Sequence, residues 1–406
     1  MSEIKQGYKQ TKVGIIPEDW EIVKLGKLTT VETGKTPLRS NKQFWDNGTI
    51  NWATTTEVNE TYIVSTNEKI TNQAVAELKM KILPINTILL AMYGQGKTRG
   101  KVALLRIEST INQAFASIKP NKNYSTNFIF NYLDKSYEKI RDLSHGSNQD
   151  NLNLDIVKAL QIPLPPLKEQ EKIAEILTTW DEAITKQTEL LEAKELQKKA
   201  LGQKLLSGEV RFDGFSDEWE EIRLGKYIKE ISKKNKENVE LVLSVTNKHG
   251  FIAQKDYFEK EVASKDTSNY KIVKKGNFAY NPSRINVGSL GLLEEYEIGI
   301  LSPMYVIFEC LKGLDKQYLN YWLNTHNFTG NLSKFLSGSV RDSLAFNDMK
   351  LMKIKLPSLP EQQKIAEVLS LADDEINLLK TELEELNLQK KALMQKLLTG
   401  EVRVKV

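Results

Sequence analysis

The strongest pattern along the chain is an apolar residue every three or four positions in two long stretches. From Ile173 the steps alternate four and three: Ile173, Leu177, Trp180, Ile184, Leu191, Leu201 and Leu205 are apolar, while Gln187, Lys194 and Lys198 interrupt the stripe. A second stripe runs through Ile365, Leu369, Ala372, Ile376, Leu379, Leu383, Leu386, Leu393 and Leu397, interrupted only by Lys390. A 3.5-residue apolar period of this length predicts two helices that pair as a coiled coil. Prolines precede each stripe, and Gly208 and Gly400 follow the last turns, where C-terminal caps belong. At 1.5 Å per residue each helix would span roughly 58 Å, so it should stand clear of its own globular part and bury its stripe on the other helix.

The two stripes are copies of one segment. EQEKIAEIL at 169–177 recurs as EQQKIAEVL at 361–369, and LQKKALGQKLLSGEVR at 196–211 recurs as LQKKALMQKLLTGEVR at 388–403. The offset of 192 holds without a gap, and 25 of 44 positions match between 168–211 and 360–403, more than shared helical composition explains. A weaker pair, EDWEIVKLGK at 18–27 and DEWEEIRLGK at 217–226, marks the start of each copy. Between the markers only echoes survive, such as Ala91/Ala279 and Gly100/Gly288. The repeat unit is therefore a globular stretch, a proline-containing bend (PLPPL or LPSLP) and a long helix. The predicted fold class is α+β: two mixed α/β domains at 1–166 and 208–358, followed by helices at 167–207 and 359–406 that pair antiparallel with internal pseudo-twofold symmetry.

Charge sharpens this division. The helical segments carry 12 Lys against 16 acidic residues, and the remaining chain 45 Lys and Arg against 37 acids, so the net +4 comes from the globular halves. Phosphate contact would need its excess there. One cysteine, Cys310, excludes an internal disulfide framework and a cysteine-cluster zinc site, and it fits a reducing cytoplasm. The three histidines lie far apart, so no metal site is expected. The chain starts without an apolar leader, and its most apolar stretch, 85–92, is far short of the roughly 20 residues that span a bilayer, so a cytoplasmic protein without a membrane segment is expected.

Two motifs suggest enzymes and fail on context. Residues 91–98, AMYGQGKT, fit a relaxed P-loop, which needs a strand before it and a helix after it. Here the following residues, RGKVALLRI, read as a second strand, and the matching loop NPSRINVG at 281–288 has no GK[ST]. Asn281-Pro282 resembles the start of an amino-methyltransferase motif, but no aromatic follows the proline and no glycine-rich loop is present to hold a methyl donor. No Ser/His/Asp or Cys/His set can be assembled, so no catalytic residue is assigned.

What remains is a set of glycine-bounded polar loops at matched places in both halves. They supply Lys35, Thr36 and Arg39; Gln95, Lys97, Thr98 and Arg99; Asn148 and Gln149; Asn247 and Lys248; Asn281, Ser283, Arg284 and Asn286; and Arg341. Arg can read guanine bidentately, Asn and Gln can read adenine, and Lys and Thr can anchor phosphates. A double-stranded DNA reader is the expectation, with Arg99, Arg284 and Arg341 first among its contacts. Two other classes compete. A P-loop hydrolase with a coiled-coil arm predicts ATP binding lost in Lys97→Ala, and a protein-only adaptor predicts no DNA affinity.

The repeated LPxLxEQxKIAExL and QKKALxQKLLxGEVR motifs, the WEIVKLGK and WEEIRLGK openings and the loops YGQGKTRG and NPSRINVG resemble the DNA-specificity subunits of type I restriction-modification systems, over nearly the whole chain. The resemblance implies two target-recognition domains, each reading half of a bipartite sequence, with the helices acting as a ruler between them. It also implies that catalysis and cofactors lie elsewhere: two modification subunits would bring S-adenosylmethionine and methylate adenine, and restriction or motor subunits would use ATP and Mg2+.

Overall fold

The computed structural model describes residues 4–59, 61–94, 97–120, 122–143, 151–247, 249–257, 266–336 and 343–406. They form two compact units, Met1–Thr188 with Thr381–Val406, and Glu189–Lys380. Each long helix thus contributes one half to each unit.

The first unit is built on a five-stranded sheet in the order Thr29–Thr33, Phe115–Pro120, Ile88–Ala91, Val102–Leu105, Tyr62–Ile63. ILLA and VALL, its unbroken apolar runs, are buried on both faces. Alternation along the strand sends Ile88, Leu90, Val102 and Leu104 to one core, with Trp20, Phe128 and Leu133, and Leu89, Ala91, Ala103 and Leu105 to a second core with Phe115. A smaller three-stranded layer, Thr110–Ile111, Ile50–Ala53 and Glu68–Ile70, has its own core of Phe44, Trp52, Ile70 and Ala74.

The second unit repeats the central order with four strands: Ile228–Ile231, Val306–Cys310, Phe278–Tyr280, Leu290–Leu292. The same alternation places Phe278, Tyr280 and Phe308 in one core and Ala279 and Ile307 in the other. In both units the opening marker pairs with the strand before the proline bend: Glu21–Lys24 lies antiparallel to Gln161–Leu164, and Glu220–Arg223 to Lys353–Leu356. In each unit the opening marker thus lies against the last strand before the long helix.

The long helices run Leu167–Ser207 and Leu359–Leu397, and their capping glycines take left-handed φ of 76° at Gly208 and 73° at Gly400. In the first unit Gln187 Nε2 donates to Glu382 Oε2 at 2.9 Å and Lys390 pairs with Asp181. In the second, Lys198 pairs with Asp373, Lys194 with Glu375 at 2.6 Å and Lys380 with Glu195 at 2.8 Å. Position rises along one helix as it falls along the other, so each unit's halves pack antiparallel. The Lys390–Asp181 and Lys198–Asp373 pairs occupy the same repeat positions.

The stripes are buried unevenly. Ile173, Leu177 and Leu397 in the first unit, and Leu205, Ile365, Leu369, Ile376 and Leu379 in the second, are buried. Trp180, Ile184, Leu383, Leu386 and Leu393, and Leu191 and Leu201, are half-buried. This corrects the expectation that the helices stand clear of their own domains. The first turns of one helix and the last turns of the other join a domain core, as Ile173 and Leu177 do with Trp20, Phe128, Leu397 and Leu398.

Candidate nucleic-acid interface

Strand register gathers the polar loops. In the first unit Ala116 pairs with Thr33, Phe115 with Ala91, and Leu90 with Val102, so the loops after 33, before 115 and between 91 and 102 leave the sheet at one edge. Thr33 Oγ1 donates to the Gln113 carbonyl at 2.9 Å, Thr36 Oγ1 to the Gln113 side chain, and Met92 N to the Ala114 carbonyl at 2.8 Å. Gly34 makes this approach possible, because a Cβ there would sit 1.8 Å from the Ile111 carbonyl oxygen. Lys35 Nζ reaches back to the Leu78 carbonyl at 2.7 Å.

Lys97 is exposed at the rim, and Thr98 and Arg99 are half-buried beside it. The Tyr137 hydroxyl donates to the Lys97 carbonyl at 2.8 Å and accepts from Arg141 Nη1 at 3.1 Å, which ties the loop to the helix Tyr137–Asp142. The strand on each side of this loop is antiparallel to its neighbour and no helix follows, so no helix N-terminus faces a phosphate as a P-loop requires.

The second unit builds the same edge. Ile231 pairs with Ile307, Tyr280 with both Val306 and Leu290, so the loops after 231, before 306 and between 280 and 290 converge. Between the last two strands lies the 3-10 helix Pro282–Val287, pinned by buried Ile285, with Ser283, Arg284 and Asn286 facing solvent. Gly288 takes φ 88°, the value also found at Gly100, and a Cβ on it would lie 2.8 Å from Asn247 Cβ. That contact seats the exposed Asn247, at the tip of the hairpin Leu243–Thr246 and Gly250–Ala253, beside the Arg284 loop. Ser289 Oγ locks the two loops together through the Val245 carbonyl at 2.8 Å.

Four residues differ from the sequence expectation of side chains open to DNA: Lys35 and Thr36, tied to Leu78 and Gln113, and Arg39 and Asn281. Arg39 makes a bidentate pair with Glu68, stacks 3.9 Å from the Trp45 ring centroid and holds the Glu68 carboxyl below its usual range. It serves the small three-stranded layer. Asn281 is an N-cap: its Oδ1 accepts from Ser283 N at 3.1 Å and its Nδ2 meets Met304 Sδ at 3.5 Å. Gln95, Asn148, Gln149, Lys248 and Arg341 lie outside the described residues. Two described residues near those segments lie at the rim: Leu152 N donates to the Met92 carbonyl at 3.0 Å and Leu344 N to the Pro282 carbonyl at 3.1 Å. Gln113 and Met304 were not singled out by sequence. A lone Gln or Met in a turn carries no periodic or compositional signal.

Among the described residues no group of His, Cys, Asp and Glu could hold a metal ion, and burial pushes the Cys310 thiol up to about 12, away from a reactive thiolate. No described helix is long and apolar enough to cross a membrane.

Known proteins carry the same organisation. A profile described as the type I restriction modification DNA specificity domain matches residues 17–195 and 217–388. The chain is 30% identical over 441 aligned residues to the MjaIX specificity subunit of a type I restriction enzyme from Methanocaldococcus jannaschii, covering 98% of this chain and 96% of that relative. It is 28% identical to the MjaVIII specificity subunit of the same organism, with 99% and 97% covered. Among solved structures, the S subunit of the M. genitalium type I restriction-modification system superposes with a TM-score of 0.58 at 17% identity, covering 93% of this chain and 96% of that one. With two family matches that each run from the opening marker through a domain into a long helix, the chain belongs to the type I restriction-modification DNA-specificity subunits.

Proposed function

We propose that each unit reads one half of a bipartite duplex sequence through the loop edge of its central sheet. The observation that carries this reading is the shared edge: two units with the same sheet order present rewritten polar loops, Lys97–Arg99 in one and Asn247 with Ser283, Arg284 and Asn286 in the other, at corresponding places. Arg284 and Asn286, held outward by buried Ile285, suit the major-groove edges of guanine and adenine. Rewritten loops make the two half-sites different in sequence.

In this reading the chain is non-catalytic and works in the cytoplasm on double-stranded DNA. Two modification subunits carry S-adenosylmethionine for adenine methylation, and restriction or motor subunits carry ATP and Mg2+. Pseudo-twofold duplication suits two copies of one partner. Leu196 and Leu388, equivalent in the repeat and 68% and 67% exposed on the two long helices, are the apolar positions we assign to modification-subunit docking. The helices set the spacer. Inserting Thr-Glu-Leu-Leu near Leu191 is expected to lengthen it while both half-sites stay the same.

Single-molecule methylation sequencing of a host carrying this gene with its modification gene, against the same host without this gene alone, tests the reading. A bipartite adenine-methylated motif should vanish with the gene, and exchange of residues 27–145 should change one half only. An unchanged methylome would refute it.

A further inference from the structure

The same cluster closes at each end of the helix pair. In the second unit Arg211, three residues beyond the Gly208 cap, donates from Nε and Nη2 to the two oxygens of Glu361, both at 2.8 Å, and Trp219 Nε1 donates to the same carboxylate at 3.2 Å. In the first unit Arg403 donates to Glu169 at 2.6 and 2.8 Å, and Trp20 Nε1 at 3.3 Å. The next residue completes each junction. Gln170 Nε2 donates to the Pro165 carbonyl at 2.8 Å while its Oε1 accepts from Ser125 N at 3.0 Å. Gln362 does the same with Pro357, at 2.9 Å, and Asp315 N, at 2.8 Å. Ser125 and Asp315 are the N-caps of corresponding domain helices, Thr126–Lys135 and Lys316–Trp322.

Each Glu-Gln pair that opens a long helix therefore joins four parts of its unit: the tail after the other helix, the domain's opening strand, the proline bend and a domain helix. The Glu169 and Glu361 side chains are 2% and 1% exposed. A buried carboxylate that loses its guanidinium is costly, and a bidentate pair is directional, so the junction holds one geometry or opens. A leucine stripe lacks that property, because apolar contacts are non-directional and tolerate small rotations.

We propose that Glu361 with Arg211, and Glu169 with Arg403, are positioning residues that hold each recognition sheet at one orientation on the helix pair and so restrict the spacer accepted between half-sites. The proposal rests on the DNA-reading function above and adds which residues enforce its spacing.

The test assembles the full chain with its modification subunits and maps methylated sites for wild type, Arg211→Ala, Arg211→Lys and Glu361→Gln. Both half-site sequences should persist, while discrimination against spacers one base pair longer or shorter falls about tenfold in Arg211→Ala, about 1.4 kcal/mol. Arg211→Lys should fall between. Glu361→Gln keeps the shape and an acceptor for Trp219 while removing the charge, and it decides the matter if Arg211→Ala does not assemble. An unchanged spacer profile in a Glu361→Gln complex that still methylates, or a uniform loss over all sites, would overturn the proposal. If the wild-type chain directs no bipartite methylation, the DNA-reading function fails and the junction proposal goes with it.

Discussion

In the first unit Arg403 closes on two carboxylates, Glu169 and Asp19, and the central sheet carries a fifth strand and a tryptophan-centred layer; in the second, Arg211 closes on Glu361 and the sheet has four strands. The strand order, the proline bends, the capping glycines and the Glu-Gln junctions are common to both. The difference separates two kinds of position. A residue buried among several fixed partners cannot change without all of them, so the scaffold persisted through duplication. A residue on a loop rim has mostly water for a neighbour, and it can be rewritten.

The largest expected contrast is between the opening tryptophans. Trp20 is fully buried and packs edge-on against Phe128, with centroids 6.4 Å apart, whereas Trp219 is half-buried. Trp20→Ala should cost about 3–5 kcal/mol, and Trp219→Ala on the order of half that, in denaturant unfolding. Equal losses would mean that the two junctions are equally embedded.

Next comes Gly34, where an added methyl meets the Ile111 backbone rather than a yielding side chain. Gly34→Ala should cost about 1–3 kcal/mol and weaken reading of the first unit's half-site alone. Methylation mapping with melting curves checks both parts, and loss of both half-sites would break the independence of the units.

At the rims themselves, Arg284→Ala should relax one base pair of one half-site by about 1–3 kcal/mol, while Lys97→Ala, if a phosphate anchor, should weaken all sequences alike and lower the salt slope by about 1. Binding titrations over mismatched duplexes at several salt concentrations separate the two behaviours.

The smallest effect concerns Asp19, which has an arginine partner in the first unit. Arg403 hydrogen-bonds its carboxyl and holds it below the usual range. A depressed folded value contributes stability above the unfolded value that drains away as pH falls through the carboxylate range. The group is largely exposed, so wild type should exceed Asp19→Asn by well under 1 kcal/mol near neutrality. The gap should close as pH falls below about 4, as measured by thermal melts.

Much of the fold was legible because its signals are local or repeated. A 3.5-residue stripe, a proline bend and a glycine after the last turn each occupy a few adjacent positions, and duplication stated them twice. Even the Gly100/Gly288 echo proved to be one left-handed loop closure conserved in both units. The candidate site was legible only as a set of loops. Lys97, Asn247, Ser283, Arg284 and Asn286 lie at the rims, but nothing in the local sequence separates Arg284, which faces solvent, from Arg39, which binds Glu68 29 residues away.

The sequence by itself determined the duplication, the two long helices with their caps, the family and the absence of a P-loop context, since each follows from residues near one another or from comparing one copy with the other. Only the tertiary structure decided that the loops leave the sheet at one edge, that Asn281 caps a turn, and that the recurring Glu of EQxKIAExL and Arg of GEVR meet each other, Glu169 with Arg403 and Glu361 with Arg211. Those facts depend on strand register and on which helix end returns to which domain. Such long-range pairings are chosen by burial over the whole chain, and no window of local sequence contains them.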